Sequence, residues 1–200
     1  MNFIFRKIKE NDNFDRIAEL IYNVDPYCYK DVFGDLEKAK AVLKVLMHDE
    51  KSTFYKDNYY CVECDNQIVG IASFFFHFVD WEDGVIEDAF GKLNLPIPNT
   101  YYAVTKYFKE MYNYRSLGAS TCQVCVKDEY QDKGVGTFLI QNILDIYGKQ
   151  DIQLNVLVDN HKAVHLYKKF GFIVVNTHDD YAGLNMPEVQ SYLMYRPGKE

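Results

Sequence analysis

The sequence predicts an α/β (α+β) fold built on a central β-sheet. Runs of alternating or β-branched apolar residues recur along the chain, and runs with apolar residues three and four positions apart lie between them. The length of 200 residues allows one substantial core and gives no strong reason for two. We therefore expect a single domain over residues 1–200.

The first part of the chain begins with a strand and continues with helices. Alternation in "FIFRKI" predicts the strand, and "NDNFDRIAELIYNV" follows with apolar residues at near-helical spacing after Asp and Asn cap candidates. Pro26 interrupts this helix, and "DLEKAKAVLKVLM" repeats the helical pattern. Next, "YYCVEC" and "QIVGIASFFFHF", joined by a two-residue "DN" turn, predict an antiparallel hairpin.

Residues 80–116 break this pattern with an acidic cluster, a "PIP" sequence and a predicted helix from Tyr101 to about Tyr112. Because the segment is too short to bury an interior of its own, we interpret it as an insertion or lid over the core. The acidic residues surround Trp81 and could form an entrance for a cationic ligand. They are Asp80, Glu82 and Asp83.

The second half alternates strands and helices. "ASTCQVCV" and "IQLNVLV" predict two strands, each followed by a helix, the first from Val135 to Tyr147 and the second over "NHKAVHLYKKF". "GFIVV" and "SYLMYR" predict two final strands.

Charge and hydropathy exclude some classes of binding partner. The start "MNFIFRKIKENDNF" lacks a basic segment followed by a long apolar one, and no window approaches the roughly 18 apolar residues that a membrane helix needs. We expect a cytoplasmic protein with no membrane partner. The net charge of −7 and the absence of a long Lys/Arg face argue against a nucleic-acid partner. A cationic or amine-bearing partner is consistent with the negative net charge, although solubility alone also explains this charge.

Five cysteines include two Cys-x-x-Cys pairs, Cys61 with Cys64 and Cys122 with Cys125. Such pairs bind zinc when they lie on turns about 15 to 20 residues apart. Here more than fifty residues separate them, and both pairs fall in predicted strands, where positions i and i+3 point to opposite faces. We expect reduced, small hydrophobic side chains and no metal site.

The loop between the predicted strand at 119–126 and the following helix holds Gly134 and Gly136, with Gln131 ahead of them. Glycines let the backbone approach a ligand closely, and the first-turn N–H groups of the helix attract phosphate. A dinucleotide fingerprint fails because Leu139 stands where a third glycine is needed, and no Gly-Lys-Ser/Thr follows for a P-loop. On the loop alone, a plain glycine-containing turn is the favoured interpretation.

A second motif lies downstream at the right distance for one known family. "QDKGVG" at residues 131–136 resembles the Q/R-x-x-G-x-G/A signature of the GNAT superfamily of N-acetyltransferases, and "NVLVDNHKAVHLYKKFGF" is similar to its strand–Asn–helix–Tyr–Gly–Phe segment. Together they cover roughly residues 121–175. The resemblance implies a three-layer GNAT-like fold with a mixed, twisted sheet of about seven strands. It also implies transfer of the acetyl group of acetyl-CoA to a primary amine of a small molecule or peptide, by direct attack in a ternary complex.

The resemblance further implies where acetyl-CoA binds. The strand ending at Val126 would present backbone groups to the pantetheine arm, the amides of residues 131–137 would hold the diphosphate, and Asn160 would hydrogen-bond the arm. The implied cofactor-binding residues are Val124, Cys125, Val126, Gln131, Asp132, Lys133, Gly134, Val135, Gly136, Thr137, Asn160 and Tyr167.

One departure from the family pattern lies at Gln131, where the family often has Arg. Glutamine keeps a hydrogen-bond donor but drops a charge, so diphosphate binding would depend more on backbone amides and on Lys133.

Tyr167 is the candidate general acid, because the resemblance places it near the thioester sulfur. Its reference pKa of about 10 is comparable with that of a CoA-type thiol, so proton transfer to the departing thiolate is roughly balanced. A backbone N–H near Val126 would stabilise the oxyanion. The alternative interpretation is that Tyr167 only buries its ring and Asn160 only caps the helix.

The general base is less well defined. We expect a carboxylate, acting directly or through a relayed water, and choose Glu87, with Asp88 and Glu63 as other candidates, although all three are also compatible with ordinary surface residues.

Other functions stay open. A catalytically inactive acyl-CoA-binding or sensor module would keep the glycine loop and would not need Tyr167. A redox or zinc protein would use the Cys-x-x-Cys pairs. The sequence leaves the oligomeric state open, with a homodimer among the options.

Overall fold

A computed structural model shows a seven-stranded mixed β-sheet with helices on both faces, and it describes residues 1–75, 84–106, 119–180 and 189–199. The sheet order is β1-β2-β3-β4-β5-β7-β6, and β4 and β5 are the parallel neighbours. The expected fold class is confirmed. The strands are β1 (Phe3–Lys7), β2 (Tyr59–Cys64), β3 (Gln67–Phe75), β4 (Ser120–Val126), β5 (Ile152–Leu157), β6 (Ile173–Asp180) and β7 (Val189–Arg196).

The helices form the two outer layers. Buried residues of the first five described helices make one core with one face of the sheet, and those of the last two make a second core on the opposite face. The helices are α1 (Phe14–Tyr22), α2 (Pro26–Phe33), α3 (Leu36–Leu46), α4 (Val85–Lys92), α5 (described over residues 101–106), α6 (Val135–Tyr147) and α7 (His161–Lys169).

Helix α2 was not predicted from the sequence. Pro26 was expected to interrupt helical structure, but it is the first residue of α2. Asp25 is the N-cap, and its carboxylate accepts a hydrogen bond from the Cys28 N–H at 3.0 Å. Proline fits this position because the first N–H groups of a helix have no partner within the helix. The helix buries Tyr29 and Phe33 in the core.

The predicted β2–β3 hairpin is present. Asp65 and Asn66 form its turn with φ angles of 51° and 60°, the left-handed values typical of type I′ hairpin turns. Val62 pairs with Gly70 but Glu63 pairs with Ile68, so β3 carries one extra residue at this point.

The Cys-x-x-Cys pairs point to opposite faces of the sheet, as strand geometry predicts. Cys61 lies in the core beneath α1–α5 and Cys64 in the core beneath α6 and α7. In the second pair, Cys122 lies in the core beneath α6 and α7, and Cys125 packs against the core beneath α1–α5. All four thiols are free, and burial raises the pKa of Cys61 to about 11 and those of Cys122 and Cys125 to about 12. Within the described residues, no group of three or more His, Cys, Asp or Glu side chains could hold a metal ion.

The predicted insertion at residues 80–116 is described over 84–106. Its two helices pack into the same core as α1–α3, with Ile86, Phe90 and Val104 buried there. The acidic residues around Trp81 and the predicted helical residues beyond 106 lie outside the described residues, so a role as a lid stays a prediction. None of the helices in the described ranges is both long enough and apolar enough to span a membrane.

A buried arginine joins the end of β7 to α6 and α7. Arg196 is only 5% exposed. Its Nε donates to the carbonyl of Phe170 at 3.2 Å, and its Nη1 donates to the carbonyls of Gly148 at 3.1 Å and Pro197 at 3.4 Å. Gly148 and Phe170 are the C-caps of α6 and α7, where the helix dipole favours a cation. The guanidinium therefore holds both helix ends on the last strand.

Candidate functional site

The parallel strands β4 and β5 pair over only a short length. Their pairing consists of Ser120 with Ile152 and Thr121 with Gln153, although β4 has seven residues and β5 has six. A cavity of about 490 Å³ lies beside the remainder of β4. This volume is within the range of small-molecule sites.

The cavity is lined by the end of β4, the glycine loop (residues 131–137), one face of α7 and the α1–α2 connection. Among the described lining residues are all but two of those implied for cofactor binding: Val124, Cys125, Val126, Gln131, Asp132, Gly134, Gly136, Thr137, Asn160 and Tyr167. The two exceptions are Lys133, whose Nζ lies 5.3 Å from the ring centroid of Tyr130, and Val135, which is buried in the core. Their roles in binding stay predictions.

The glycine loop and the first turn of α6 form a surface suited to an anion. Gly134 is the N-cap of α6 with φ of 88°, a left-handed value that glycine adopts without strain, and none of the described side chains caps this helix end. The first-turn N–H groups therefore remain for a ligand or water. A Cβ at Gly136 would lie 3.2 Å from Cδ2 of Leu166, so glycine allows α7 to approach the loop closely. Both features fit the diphosphate of acetyl-CoA.

Gln131 and Asp132 are each held by contacts of their own. The Gln131 Nε2 donates to Oδ1 of Asp128 at 2.9 Å and to the carbonyl of Val126 at 3.4 Å, so this side chain fastens the loop to the end of β4. Asp132 has φ of 57°, and its Oδ2 lies 2.6 Å from Nζ of Lys162. The salt bridge joins the loop to the first turn of α7.

Asn160 is the N-cap of α7. Its Oδ1 accepts a hydrogen bond from the Ala163 N–H at 3.1 Å. The capping role considered from the sequence is therefore present, but it uses only the oxygen. Because Asn160 also lines the cavity, its Nδ2 can still donate to a bound group.

Tyr167 lies on α7 at the cavity wall and is 7% exposed. Its ring packs edge-on against Phe172 with a centroid distance of 5.8 Å. In the described ranges, its hydroxyl makes no hydrogen bond. Burial, and to a smaller extent the neighbouring thiols of Cys122 and Cys125, raise the pKa of Tyr167 above its usual value. The phenol therefore keeps its proton at neutral and mildly alkaline pH.

The three candidate bases are not among the described lining residues of the cavity. Glu87 lies on α4 and accepts a hydrogen bond from the Tyr101 hydroxyl at 2.7 Å. Glu63 forms a salt bridge with Arg6 at 2.8 Å, and Asp88 is exposed. A catalytic role for Glu87 stays a prediction.

Sequence reasoning missed part of the α7 wall. Side chains spaced three and four residues apart line the cavity beside Tyr167, and so do two residues of the α1–α2 connection. The helical spacing from Asn160 onward was the available signal for the α7 residues. The added residues are Lys162, Ala163, His165, Leu166, Lys169, Asn23 and Val24.

The chain matches a family model described as "Acetyltransferase (GNAT) family" over residues 28–172. Among curated proteins it is similar to the L-amino acid N-acetyltransferase AaaT of Escherichia coli (strain K12), with 32% identity over 77 residues, 36% of this chain and 48% of that protein. It is also similar to an N-alpha-acetyltransferase of Sulfolobus acidocaldarius, with 42% identity over 53 residues, 24% of this chain and 32% of that protein. These matches span about half or less of each relative.

The fold is similar to that of solved acetyltransferases. One structure described as "The crystal structure of acetyltransferase" has a TM-score of 0.70 and 18% identity, covering 98% of this chain and all of that chain. At this identity the likeness concerns the fold alone.

Proposed function

Because the chain belongs to the acetyltransferase (GNAT) family, we propose that it transfers the acetyl group of acetyl-CoA to a primary amine by direct attack in a ternary complex. The observation that carries the proposal is the cavity beside β4, which brings together the glycine loop, Asn160 and Tyr167. These are the groups needed to bind a phosphate-bearing thioester and to donate one proton to its leaving group.

Acetyl-CoA supplies the activated acetyl group when it is bound. The first-turn N–H groups of α6 would hold its diphosphate, and backbone groups of Val124 and Val126 together with Nδ2 of Asn160 would hold its pantetheine arm. A backbone N–H near Val126 would stabilise negative charge on the acetyl oxygen.

Tyr167 would hold a proton on its hydroxyl and deliver it to the departing sulfur. Burial also raises the pKa of the Cys125 thiol, which lines the same cavity as Tyr167, to about 12. A thiolate leaving in this cavity becomes more basic for the same reason, so transfer from phenol to sulfur stays close to balanced.

The acceptor class is an amine of a small molecule or a peptide. The names of the relatives point to L-amino acids in one case and to an N-alpha amine in the other. A net charge of −7 favours a cationic acceptor. We assign acceptor selection to the segment 80–116 and removal of the amine proton to Glu87. We also infer a single domain acting in the cytoplasm.

The test is turnover. The purified protein is incubated with acetyl-CoA and a panel of L-amino acids, short peptides with free N-termini and polyamines, and free thiol is measured against a reaction without amine. The expected result is amine-dependent release of CoA with at least one member of the panel. Tight binding of acetyl-CoA without release across the panel would instead support the inactive acyl-CoA-binding module.

A further inference from the structure

The charges around the cavity are unevenly distributed. The α7 wall carries three basic side chains at helical spacing, Lys162, His165 and Lys169. Asp132 is the single carboxylate among the described lining residues, and it lies on the opposite wall in the glycine loop. The cavity therefore has a basic side and one acidic residue facing it.

Asp132 is paired with Lys162, the first lysine of α7. Nζ of Lys162 lies 2.6 Å from Oδ2 of Asp132, and the two side chains are 72% and 70% exposed. An exposed ion pair contributes little because water solvates both charges when it opens. Lys162 can therefore exchange Asp132 for another anion at small cost.

Lys162 is close to the place where the glycine loop would hold phosphate. It lies one helical turn before Leu166, whose Cδ2 would be 3.2 Å from a Cβ at Gly136. A lysine ammonium binds phosphate more strongly than it binds an exposed carboxylate, since phosphate carries more charge and more acceptor oxygens. An aspartate beside the same phosphate would repel it.

We propose that Lys162 is a phosphate-binding residue of the acyl-CoA site and that Asp132 holds its ammonium in the free protein until a phosphate replaces the carboxylate. The inference rests on the proposed function, because acyl-CoA supplies the phosphate. In this arrangement Asp132 competes with the ligand, lowers its affinity and re-forms the ion pair when CoA leaves.

Equilibrium binding of CoA to the free protein, without an amine, tests the exchange independently of activity. Lys162→Met is expected to weaken CoA binding about tenfold, the effect of losing one charge-assisted contact. Lys162→Arg should retain most of the affinity. Asp132→Asn is expected to tighten binding about threefold, because the competing carboxylate is gone. Lys168→Met is the matched control, since Lys168 is an exposed lysine of the same helix that is not among the described lining residues.

Three fragments of CoA, namely dephospho-CoA, 4′-phosphopantetheine and pantetheine, identify the phosphate that Lys162 contacts. If the loss caused by Lys162→Met disappears with dephospho-CoA, Lys162 contacts the 3′-phosphate. If the loss persists with dephospho-CoA and with 4′-phosphopantetheine but disappears with pantetheine, Lys162 contacts the diphosphate. Either result supports the proposal.

An equal loss with pantetheine, or equal CoA affinity in wild type and Lys162→Met, would overturn the proposal and leave the proposed function standing. If Asp132→Asn binds CoA more weakly than wild type, the competing role of Asp132 is overturned. A wild-type protein that binds no CoA would refute the proposed function itself.

Discussion

Replacing Tyr167 with Phe removes one hydroxyl and leaves the ring in place. The ring contact with Phe172 at 5.8 Å is retained, and the hydroxyl has no hydrogen-bond partner among the described residues that would be left unpaired. The free energy of unfolding should therefore change by less than about 1 kcal/mol. Affinity for acetyl-CoA should stay within about twofold, because a proton donor to the sulfur acts mainly in the transition state.

The catalytic effect should be much larger than the structural one. Loss of a general acid costs about 10²- to 10⁴-fold in kcat, equivalent to roughly 3–5 kcal/mol of activation free energy. The assay is release of free thiol at saturating acetyl-CoA and acceptor, with urea denaturation and acetyl-CoA binding measured on the same preparations. Wild-type kcat in the variant would show that Tyr167 is a core residue only. A parallel fall in kcat and in stability would assign the effect to ring packing.

The raised pKa of Tyr167 also makes the free energy of unfolding depend on pH. Its folded pKa lies above the unfolded value of about 10, so its contribution to stability is complete below that pH and is lost as pH rises through the folded pKa. Urea denaturation from pH 9 to 11 should show a steeper loss of stability in wild type than in Tyr167→Phe. Parallel curves would contradict the assigned burial effect.

Three further predictions concern the loop, the helix ends and a thiol. Gly136→Ala places a methyl group 3.2 Å from Leu166 and should weaken acetyl-CoA binding about tenfold, as measured by calorimetry. The melting temperature should stay nearly unchanged, because alanine favours helix. Unchanged affinity would contradict the close approach of the loop and α7. Arg196→Met removes charged hydrogen bonds to two helix ends and should cost about 3–5 kcal/mol in urea denaturation; a cost under about 1 kcal/mol would show that the contacts are dispensable. Cys125, with its pKa raised to about 12, should react with iodoacetamide at pH 8 about fifty-fold more slowly than an unperturbed cysteine. Mass spectrometry measures the labelling, and urea-unfolded protein is the reference. Rapid labelling of the folded protein would refute the burial effect.

Periodicity predicted most of the fold because each regular element has one face that must be buried. The strand at Phe3–Lys7 and the helix at Val135–Tyr147 follow directly from such patterns. Periodicity does not predict helix α2, because proline usually interrupts a helix. The preceding Asp25 was the signal for a helix start, since an N-cap acid followed by proline is a common first turn.

The sequence predicts the parts of the candidate site where the backbone conformation requires a particular residue type. It predicts less well the parts where tertiary contacts determine which side chains meet. Gly134 needs a left-handed φ, which only glycine tolerates well, so the loop was visible in the sequence. No local pattern distinguishes Lys162 from Lys168, because their difference depends on how α7 lies against the loop. The hydrogen bond between Glu87 and Tyr101 likewise joins residues whose approach the sequence does not encode locally.

The position of β7 has a consequence for the order in which the protein can mature during synthesis. This strand is made after the glycine loop, Asn160 and Tyr167, yet it lies between β5 and β6 and its Arg196 holds the ends of α6 and α7. A ribosome-bound chain that stops before residue 189 therefore contains every residue proposed for binding and proton transfer but lacks the strand that fixes their spacing. Since chains emerge at about 5–20 residues per second, competence to bind acetyl-CoA should appear late and abruptly rather than grow with length.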